Sequence, residues 1–244
     1  MPRSTQNKKL VPEIAIKDYY LDADRLLLAV DCIIFGFDRN SLKLLLFQRK
    51  VAPFQAEWSL IGSFVKKEES VQKAAERVLE THTGLTNVFM EELGSYSSIK
   101  RDPGDRVISI AHYALMRLEE KDEKIAEEFK AHWFDFDQLP DLVMDHHQMV
   151  QDALEKLRRK ARYRPIGFEL LPEKFTIPQL RLLYEVIYQR ELDRRNFRKK
   201  ILSMNILEKL EEKDKTSSRK GAFLYRFIPA KYEEMVEKGV DFVI

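Results

Sequence analysis

The chain has 244 residues, long enough to bury the core of one large domain or two modest ones. Hydrophobic residues make up 44% and charged residues 34%, a balance that excludes a disordered chain and is typical of a globular one. No run approaches the roughly 18 apolar residues of a membrane span, and the N-terminus lacks the apolar stretch of a secretory signal. The single cysteine, Cys32, has no second cysteine to pair with. We therefore expect a cytoplasmic protein without a membrane partner.

The net charge of +2 conceals an uneven distribution. Residues 156–200 contain 14 Lys and Arg against 5 Asp and Glu, a net charge of +9, so the remaining residues carry −7. A charge run is usually a solvated helix face. A concentration of this size in one segment of a nearly neutral protein nevertheless favours a polyanionic partner.

The N-terminal part of the chain mixes strand and helix patterns, with strands in excess. Residues 27–37 and 42–47 predict two strands, which the turn Asp38-Arg39-Asn40-Ser41 joins into a hairpin. Ser70 is positioned to cap a helix that Gly84 ends. Further extended segments are predicted at 58–65, 107–116 and 131–136, and a further helix at 145–162. The pattern is that of an α+β domain.

The period of the apolar residues changes after Arg164-Pro165-Ile166-Gly167, which interrupts the last helix. Beyond it, Thr176 and Asp193 are each placed to cap a helix, and two extended segments follow around a polar turn. Two helices and then a two-stranded hairpin are the order of a winged helix. The predicted divisions are an N-terminal extension (1–25), a first domain (26–145), a linking helix (146–164) and a winged helix-turn-helix domain (165–244).

The segment from Trp58 to Leu85 resembles the Nudix hydrolase box, G-x(5)-E-x(7)-R-E-U-x-E-E-x-G-U, in which U is apolar. With the terminal G-U on Gly84-Leu85, the arginine falls on Arg77, the first glutamate on Glu69 and the box glycine on Ser63. The three remaining glutamates fall on residues without a carboxylate, which are Val78, Thr81 and His82.

Those three residues argue against metal-dependent catalysis. Nudix enzymes hydrolyse pyrophosphates with divalent metals, and Mg²⁺ or Mn²⁺ require hard oxygen ligands. Val78 and Thr81 offer no anionic oxygen, and the imidazole nitrogen of His82 suits a hard metal poorly. Glu80 lies one residue out of register, about 100° around the helix. We therefore predict no catalytic residue, no metal and no cofactor, with Arg77 retained to fix the loop and helix by ion pairing.

The resemblance extends beyond the box to a family of Nudix-related transcriptional regulators. It covers residues 27–118, including the segment 100–111, and residues 161–202, including Phe168-Glu169-Leu170-Leu171-Pro172 and Asn196-Phe197-Arg198-Lys199-Lys200. Ordinary Nudix hydrolases lack such a C-terminal helix-turn-helix. The resemblance implies a Nudix-like α/β/α sandwich domain followed by a winged helix-turn-helix domain. It also implies a homodimeric repressor that binds palindromic double-stranded operator DNA under the control of an effector.

Members of this family differ in their effector. Some respond to ADP-ribose and govern NAD metabolism, whereas another branch, in Bacteroidetes, responds to arabinose, and this sequence looks most similar to that branch. A neutral sugar also needs only paired hydrogen-bond donors and acceptors in a desolvated pocket, without a metal to offset phosphate charge. We therefore expect L-arabinose as the effector and sugar-utilisation genes as the target. ADP-ribose sensing is the alternative, because arginines can neutralise phosphate without a metal.

The effector is expected in the former substrate cleft. The candidates are polar residues that interrupt apolar strands, loop residues, and aromatic residues that would wall a sugar. They are Asp31, Gln48, Arg49, Glu57, Trp58, Phe64, Lys100, Ser109 and His112. For any one of them a structural role is an equal alternative.

The helix capped by Asp193 is the predicted recognition helix, with Phe197 and Ile201 facing inward. Such a helix reads base edges from its N-terminal residues. Arginine pairs with guanine and asparagine with adenine, whereas lysines meet phosphates and a flexible basic wing suits the backbone or minor groove. The predicted DNA contacts are Arg194, Arg195, Asn196, Arg198, Lys199 and Lys200 on the helix, and Thr216, Ser217, Ser218, Arg219 and Lys220 at the wing tip. A solvated, salt-bridged helix is the alternative, since Glu191 and Asp193 are near.

Two other classes of protein fit parts of the sequence. One is an active Nudix pyrophosphatase with a basic appendage, which the missing glutamates oppose. The other is an RNA-binding module that uses the basic segment, which the absence of an RNP-type aromatic pattern opposes.

Overall fold

The computed structural model describes residues 22–164, 166–215 and 221–238. The predicted wing-tip contacts at 216–220 lie outside these residues, as do residues 1–21 of the predicted N-terminal extension. No helix in the described part of the chain is both long and apolar enough to cross a membrane.

One mixed sheet forms the centre of the N-terminal domain. Its longest strands, β1 (Leu27–Phe37) and β6 (Val107–Arg117), run parallel and pair along their whole length. The other strands are β2 (Leu42–Gln48), β3 (Trp58–Ser59), β4 (Ile61–Phe64), β5 (Glu91–Tyr96) and β7 (Ala131–Asp135). The sheet order is β3-β2-β1-β6-β5, with β4 also paired to β1 and β7 to β2. The predicted β1–β2 hairpin is confirmed, and the Asp38 carboxylate accepts hydrogen bonds from the backbone N–H groups of Asn40 and Ser41 in its turn.

Helices cover both faces of this sheet, because β1 carries apolar side chains on both of its sides. Cys32 packs against α1 (Val71–Thr83) in one cluster, whereas Ile33 packs in the cluster that includes α3 (His146–Tyr163). The short helix α2 (Glu120–Glu128) adds Ala126 to the α1 side. Because both faces are buried, β1 is a continuous apolar run rather than an alternating one. The predicted α/β/α arrangement is confirmed.

Two elements of this domain are not predicted by the apolar pattern of the sequence. The β5 strand lies at the edge of the sheet, is half-exposed and is interrupted by a register shift between Glu92 and Gly94. The α2 helix is almost entirely charged and buries only Asp122 and Ala126. Neither shows the period-2 or period-3.6 apolar pattern on which sequence prediction depends.

The C-terminal domain has the predicted winged-helix order. Its elements are β8 (Phe175–Thr176), α4 (Ile177–Tyr188), α5 (Arg194–Ser203), β9 (Leu207–Asp214), β10 (Ala222–Phe227) and α6 (Pro229–Glu237). The three strands form a sheet with the order β8-β10-β9. Thr176 and Gln179 form a reciprocal capping box at the start of α4. The Asp193 carboxylate accepts from the backbone N–H of Asn196 at 2.8 Å and caps α5.

Helix α3 connects the two domains physically. Its Leu154 and Leu157 belong to the same buried cluster as Leu180 and Phe197 of the winged helix. Beside this cluster, the half-buried Arg158 donates its Nε–H to the carbonyl of Ile187 near the end of α4, at 3.1 Å. Helix α3 is therefore joined to the winged helix by packed side chains and a hydrogen bond rather than by a loose linker.

Candidate effector cleft and DNA-binding surface

A cleft with a volume of 370 Å³ opens beside the N-terminal half of β1. Volumes of this size are typical of ligand sites. Buried polar side chains form its floor, and half-buried or exposed basic and aromatic side chains form its mouth. The floor contains Asp31, Ser59, Arg101 and His146, and the mouth contains Phe47, Arg49, Lys50, Phe64 and His82.

A network of hydrogen bonds and ion pairs orders the floor. The Ser109 hydroxyl donates to Asp31 Oδ2 at 2.5 Å. The Arg101 guanidinium donates to both carboxylate oxygens of Asp145, at 2.8 and 2.9 Å, and lies 3.5 Å from Asp31 Oδ2. The Arg101 side chain is only 3% exposed. Two carboxylates thus compensate a buried cation, as a charge removed from water requires.

His146 is the first residue of α3 and is fully buried at the floor. Its Nδ1 accepts from the backbone N–H of Leu60 at 3.1 Å, so the proton of the neutral ring lies on Nε2. Burial lowers the pKa of His146, opposed by the nearby charges of Asp31 and Asp145. Among residues 22–164, 166–215 and 221–238, the Nε2 atom has no hydrogen-bond partner, and it lies 3.7 Å from Asp31 Oδ1. The floor of the cleft therefore contains a buried donor that no described residue satisfies.

Glycine at position 62 makes room for the Asp31 carboxylate. Gly62 of β4 lies directly opposite Asp31 in the β1–β4 pair. A Cβ atom built on Gly62 would lie 2.1 Å from Asp31 Oδ1, well inside van der Waals contact. Any other residue at 62 would displace the carboxylate from the floor.

The arginine of the box-like segment has the structural role that the sequence predicts. Arg77 forms a two-pronged ion pair with Glu69 and donates to the carbonyl of Phe64 at 3.1 Å. The hydrogen bond from Arg77 lowers the pKa of the Glu69 carboxyl to about 2. The ion pair of Glu69 with Arg77 thereby fixes the loop against α1.

The residues at the box positions do not fit a magnesium site. Val78 is fully buried in the core, Thr81 is exposed, and the His82 ring lies against Phe47 with centroids 5.6 Å apart. None of the three supplies an anionic oxygen, and Glu69 is engaged by Arg77. Among the described residues, no group of three or more His, Cys, Asp or Glu side chains is arranged to hold a metal ion.

The structure brings some predicted effector residues together and separates the others. Asp31, Arg49 and Phe64 line the cleft, and Ser109 supports Asp31 from behind. Gln48, Glu57 and Lys100 are exposed outside the lining.

Trp58 and His112 lie outside the cleft for different reasons, since Trp58 shares the face of Asp31 and His112 does not. Trp58 packs edge-on against Phe134, with ring centroids 4.7 Å apart, and so stabilises the β2–β7 edge. His112 aligns with Cys32, whose thiol contacts Ala75 of α1, and therefore lies on the opposite face from Ser109. A shift of three residues along a strand reverses the face, which the apolar pattern of a strand buried on both sides does not reveal.

Arg101 and His146 are the functional candidates that sequence reasoning missed. Arg101 directly follows the predicted Lys100, but it turns inward where Lys100 is exposed. His146 begins a helix whose apolar pattern predicted it as a connecting element. The pairing of Arg101 with two carboxylates distant in sequence leaves no local pattern in the sequence from which it could be predicted.

The predicted recognition helix presents a basic, exposed surface. Helix α5 buries only Phe197 and Ile201. Arg194, Arg195, Asn196, Lys199 and Lys200 are exposed, and Arg198 also approaches the Tyr225 hydroxyl at 3.4 Å. Within the described part of the chain, the arginines and lysines of α5 form no ion pair with a carboxylate. The charge of α5 therefore faces solvent, and contact of its residues with DNA stays a prediction.

Comparisons with protein families match a different family to each of the two domains. The NUDIX domain family matches residues 25–153, and the family described as the NrtR DNA-binding winged helix domain matches residues 167–227. A protein of Acinetobacter baylyi described as an ADPR responsive transcriptional repressor is 30% identical over 85% of this chain and 84% of its own length. An ADP-ribose pyrophosphatase of Methanocaldococcus jannaschii is 33% identical over 61% of this chain and 84% of its own.

Solved structures agree as well. NrtR of Shewanella oneidensis in complex with a 27mer DNA has a TM-score of 0.68 and 28% identity, over 84% of this chain and 95% of that one. The NUDIX domain of the same protein in complex with ADP ribose has a TM-score of 0.51 and 26% identity, over 61% of this chain and 99% of that one. The chain therefore belongs to the NrtR-type family of transcriptional regulators, in which a Nudix domain precedes a DNA-binding winged helix domain.

Proposed function

We propose that this protein is a transcriptional repressor whose cleft binds ADP-ribose and that the bound ligand releases it from operator DNA. The supporting observation is a relative along most of the chain that is described as an ADPR responsive repressor, together with a cleft lined by cations and hydroxyl-binding groups. Genes of NAD metabolism, rather than sugar utilisation, are then the expected target.

Basic side chains at the mouth of the cleft take the place of a metal. Arg49 and Lys50 line the mouth and carry charges that offset those of a diphosphate. Burial and then the positive charges of Lys50 and Arg77 hold the pKa of His82 below its ordinary value. The part of this lowering that comes from Lys50 and Arg77 reflects a positive potential beside the cleft, which favours a bound anion.

These cations weaken the physical case for L-arabinose. That case depended on the lack of metal ligands, which leaves a pyrophosphate uncompensated unless arginine or lysine replaces the metal. The Acinetobacter baylyi repressor, the Methanocaldococcus jannaschii pyrophosphatase and the ligand-bound NUDIX domain of Shewanella oneidensis NrtR are connected with ADP-ribose and not with arabinose. The expected arabinose specificity therefore has less support than the ADP-ribose alternative.

A second candidate function is hydrolysis of ADP-ribose, which the pyrophosphatase relative favours. Val78, Thr81 and His82 oppose it, because they leave three box positions on α1 without the carboxylates that a metal-activated water requires. We propose that the domain binds without turnover.

The DNA-binding role rests on α5 in a homodimer. Two copies of α5 would enter successive major grooves of a palindromic site, about 34–36 Å apart. A ligand that favours a different spacing of the two helices lowers affinity for the operator.

The test uses the full chain and a duplex selected from a random library for tight binding. Fluorescence anisotropy would follow release of this duplex by ADP-ribose, ADP, L-arabinose and D-ribose. We expect ADP-ribose to weaken DNA binding about tenfold or more and the free sugars to have no effect. Release by L-arabinose alone would overturn the proposal, and release of AMP from ADP-ribose with Mg²⁺ would establish the hydrolase instead.

A further inference from the structure

A buried histidine donor and a buried carboxylate lie side by side at the floor of the effector cleft. His146 is 1% exposed and Asp31 6% exposed, and both line the cleft. His146 Nε2 lies 3.7 Å from Asp31 Oδ1, too far for a hydrogen bond between them. An unsatisfied buried donor is costly, so a partner supplied from the cleft would be bound favourably.

We propose that His146 Nε2–H and the Asp31 carboxylate together bind one ribose hydroxyl of the ligand and so determine which end of it reaches the floor. This inference rests on the proposed binding of ADP-ribose. A hydroxyl accepts from Nε2–H and donates to the carboxylate at the same time. An oxygen about 2.8 Å from each atom, an ordinary hydrogen-bond length, spans the gap between them.

A phosphate does not fit the same position. It carries no proton to donate to Asp31 and would place like charges in a site with little water. The buried cation nearby, Arg101, is already held by both oxygens of Asp145. The diphosphate is therefore placed toward Arg49 and Lys50 at the mouth, and a ribose at the floor.

Each ring nitrogen of His146 can be tested separately. In His146→Asn, the amide oxygen takes the place of Nδ1, accepts from Leu60 N–H and leaves the Nε2 position empty. In His146→Gln, the longer side chain returns an N–H donor to the Nε2 position but loses the bond to Leu60. Binding of ADP-ribose and ADP to both variants and to the unaltered protein would be measured by calorimetry.

We expect His146→Asn to bind ADP-ribose about tenfold more weakly and His146→Gln to recover part of that loss. If ADP affinity is unchanged in His146→Asn, the hydroxyl belongs to the terminal ribose, and if it falls equally, to the adenosine ribose. The His146 ¹⁵Nε2 resonance, assigned by its absence from His146→Asn, should shift when ADP-ribose binds.

Two outcomes separate the inference from the function on which it rests. If the unaltered protein binds ADP-ribose and folded His146→Asn binds it equally well, the hydroxyl-binding pair is wrong and the proposed function stands. If the unaltered protein does not bind ADP-ribose, both are wrong.

Discussion

Arg101 and Asp145, which are far apart in sequence, form a two-pronged ion pair with N–O distances of 2.8 and 2.9 Å immediately before helix α3. The pair fixes the β5–β6 loop against the start of the helix that leads to the winged helix. Because Arg101 also lies 3.5 Å from Asp31, the same guanidinium joins the cleft floor to α3.

The first prediction concerns this buried ion pair. Arg101→Ala leaves Asp145 and Asp31 without their cation and should lower the free energy of unfolding by roughly 3–5 kcal/mol. Urea denaturation measures the change. Lys100→Ala is the matched control, because Lys100 is exposed and should change stability by less than about 0.5 kcal/mol. Equal stability of the two variants would contradict the role given to Arg101.

The second prediction concerns pH. Burial lowers the pKa of His146 below its ordinary value of 6.5. As pH falls through about 6.5, the unfolded chain therefore takes up a proton that the folded chain does not. The free energy of unfolding should decrease in this range by up to about 1.4 kcal/mol per pH unit for this group, until the folded pKa is reached.

His82 and His112 contribute in the same direction, since burial lowers their pKa values as well. His146→Asn removes one of these groups and should make the dependence of stability on pH shallower between about pH 5 and 7. Urea unfolding at a series of pH values measures both slopes. Parallel curves for the variant and the unaltered protein would show that His146 does not titrate differently on folding.

The third prediction tests the space at position 62. Gly62→Ala would place a methyl group 2.1 Å from the present position of Asp31 Oδ1 and force the carboxylate away from the floor. ADP-ribose affinity should fall about tenfold, as measured by calorimetry. Gly94→Ala is the control, because a Cβ there meets nothing within 4 Å. Unchanged affinity in folded Gly62→Ala would separate Asp31 from ligand binding.

The fourth prediction concerns coupling between the domains. Arg158→Ala removes the hydrogen bond from α3 to the Ile187 carbonyl and should reduce the effect of ADP-ribose on DNA affinity without changing ADP-ribose affinity itself. Arg159→Ala is matched in position and removes only an exposed pair with Glu155. Anisotropy with and without ligand gives the coupling for each variant. Equal coupling in both would exclude this contact from the path.

The fifth prediction distinguishes side chains of α5 that contact bases from those that contact phosphates. Arg195→Ala should weaken binding to the selected duplex by about 1–3 kcal/mol more than binding to random duplex. Lys200→Ala should weaken both duplexes alike and reduce the slope of log affinity against log salt by about 1. Lys67→Ala, a change on the exposed surface of the other domain, should leave both unchanged. A salt slope that Lys200→Ala leaves intact would remove this lysine from the interface.

Local signals in the sequence were sufficient for much of the fold. Ser70 and Gly84 bound α1 as predicted, because capping and left-handed backbone are properties of single residues in their immediate neighbourhood. Asp193 caps the predicted recognition helix for the same reason. The edge strand β5 and the charged helix α2 were missed, since their place in the fold depends on pairing and not on an apolar pattern.

The residues of the candidate site could be predicted only in part from the sequence. Asp31, Arg49 and Phe64 could be proposed because polar or aromatic residues stand out within or after an apolar strand. His112 stands out equally, yet it lies on the other face, because strand register decides which side chains meet.

By itself, the sequence determined the two domain types, the basic helix α5 and the missing carboxylates at three box positions of α1, since these depend on spacing within single elements. Only the tertiary structure placed Arg101 from the β5–β6 loop and His146 from the start of α3 beside Asp31 of β1. Those contacts join residues many positions apart, and their energy arises from burial and pairing of charges that exist only once the chain has folded.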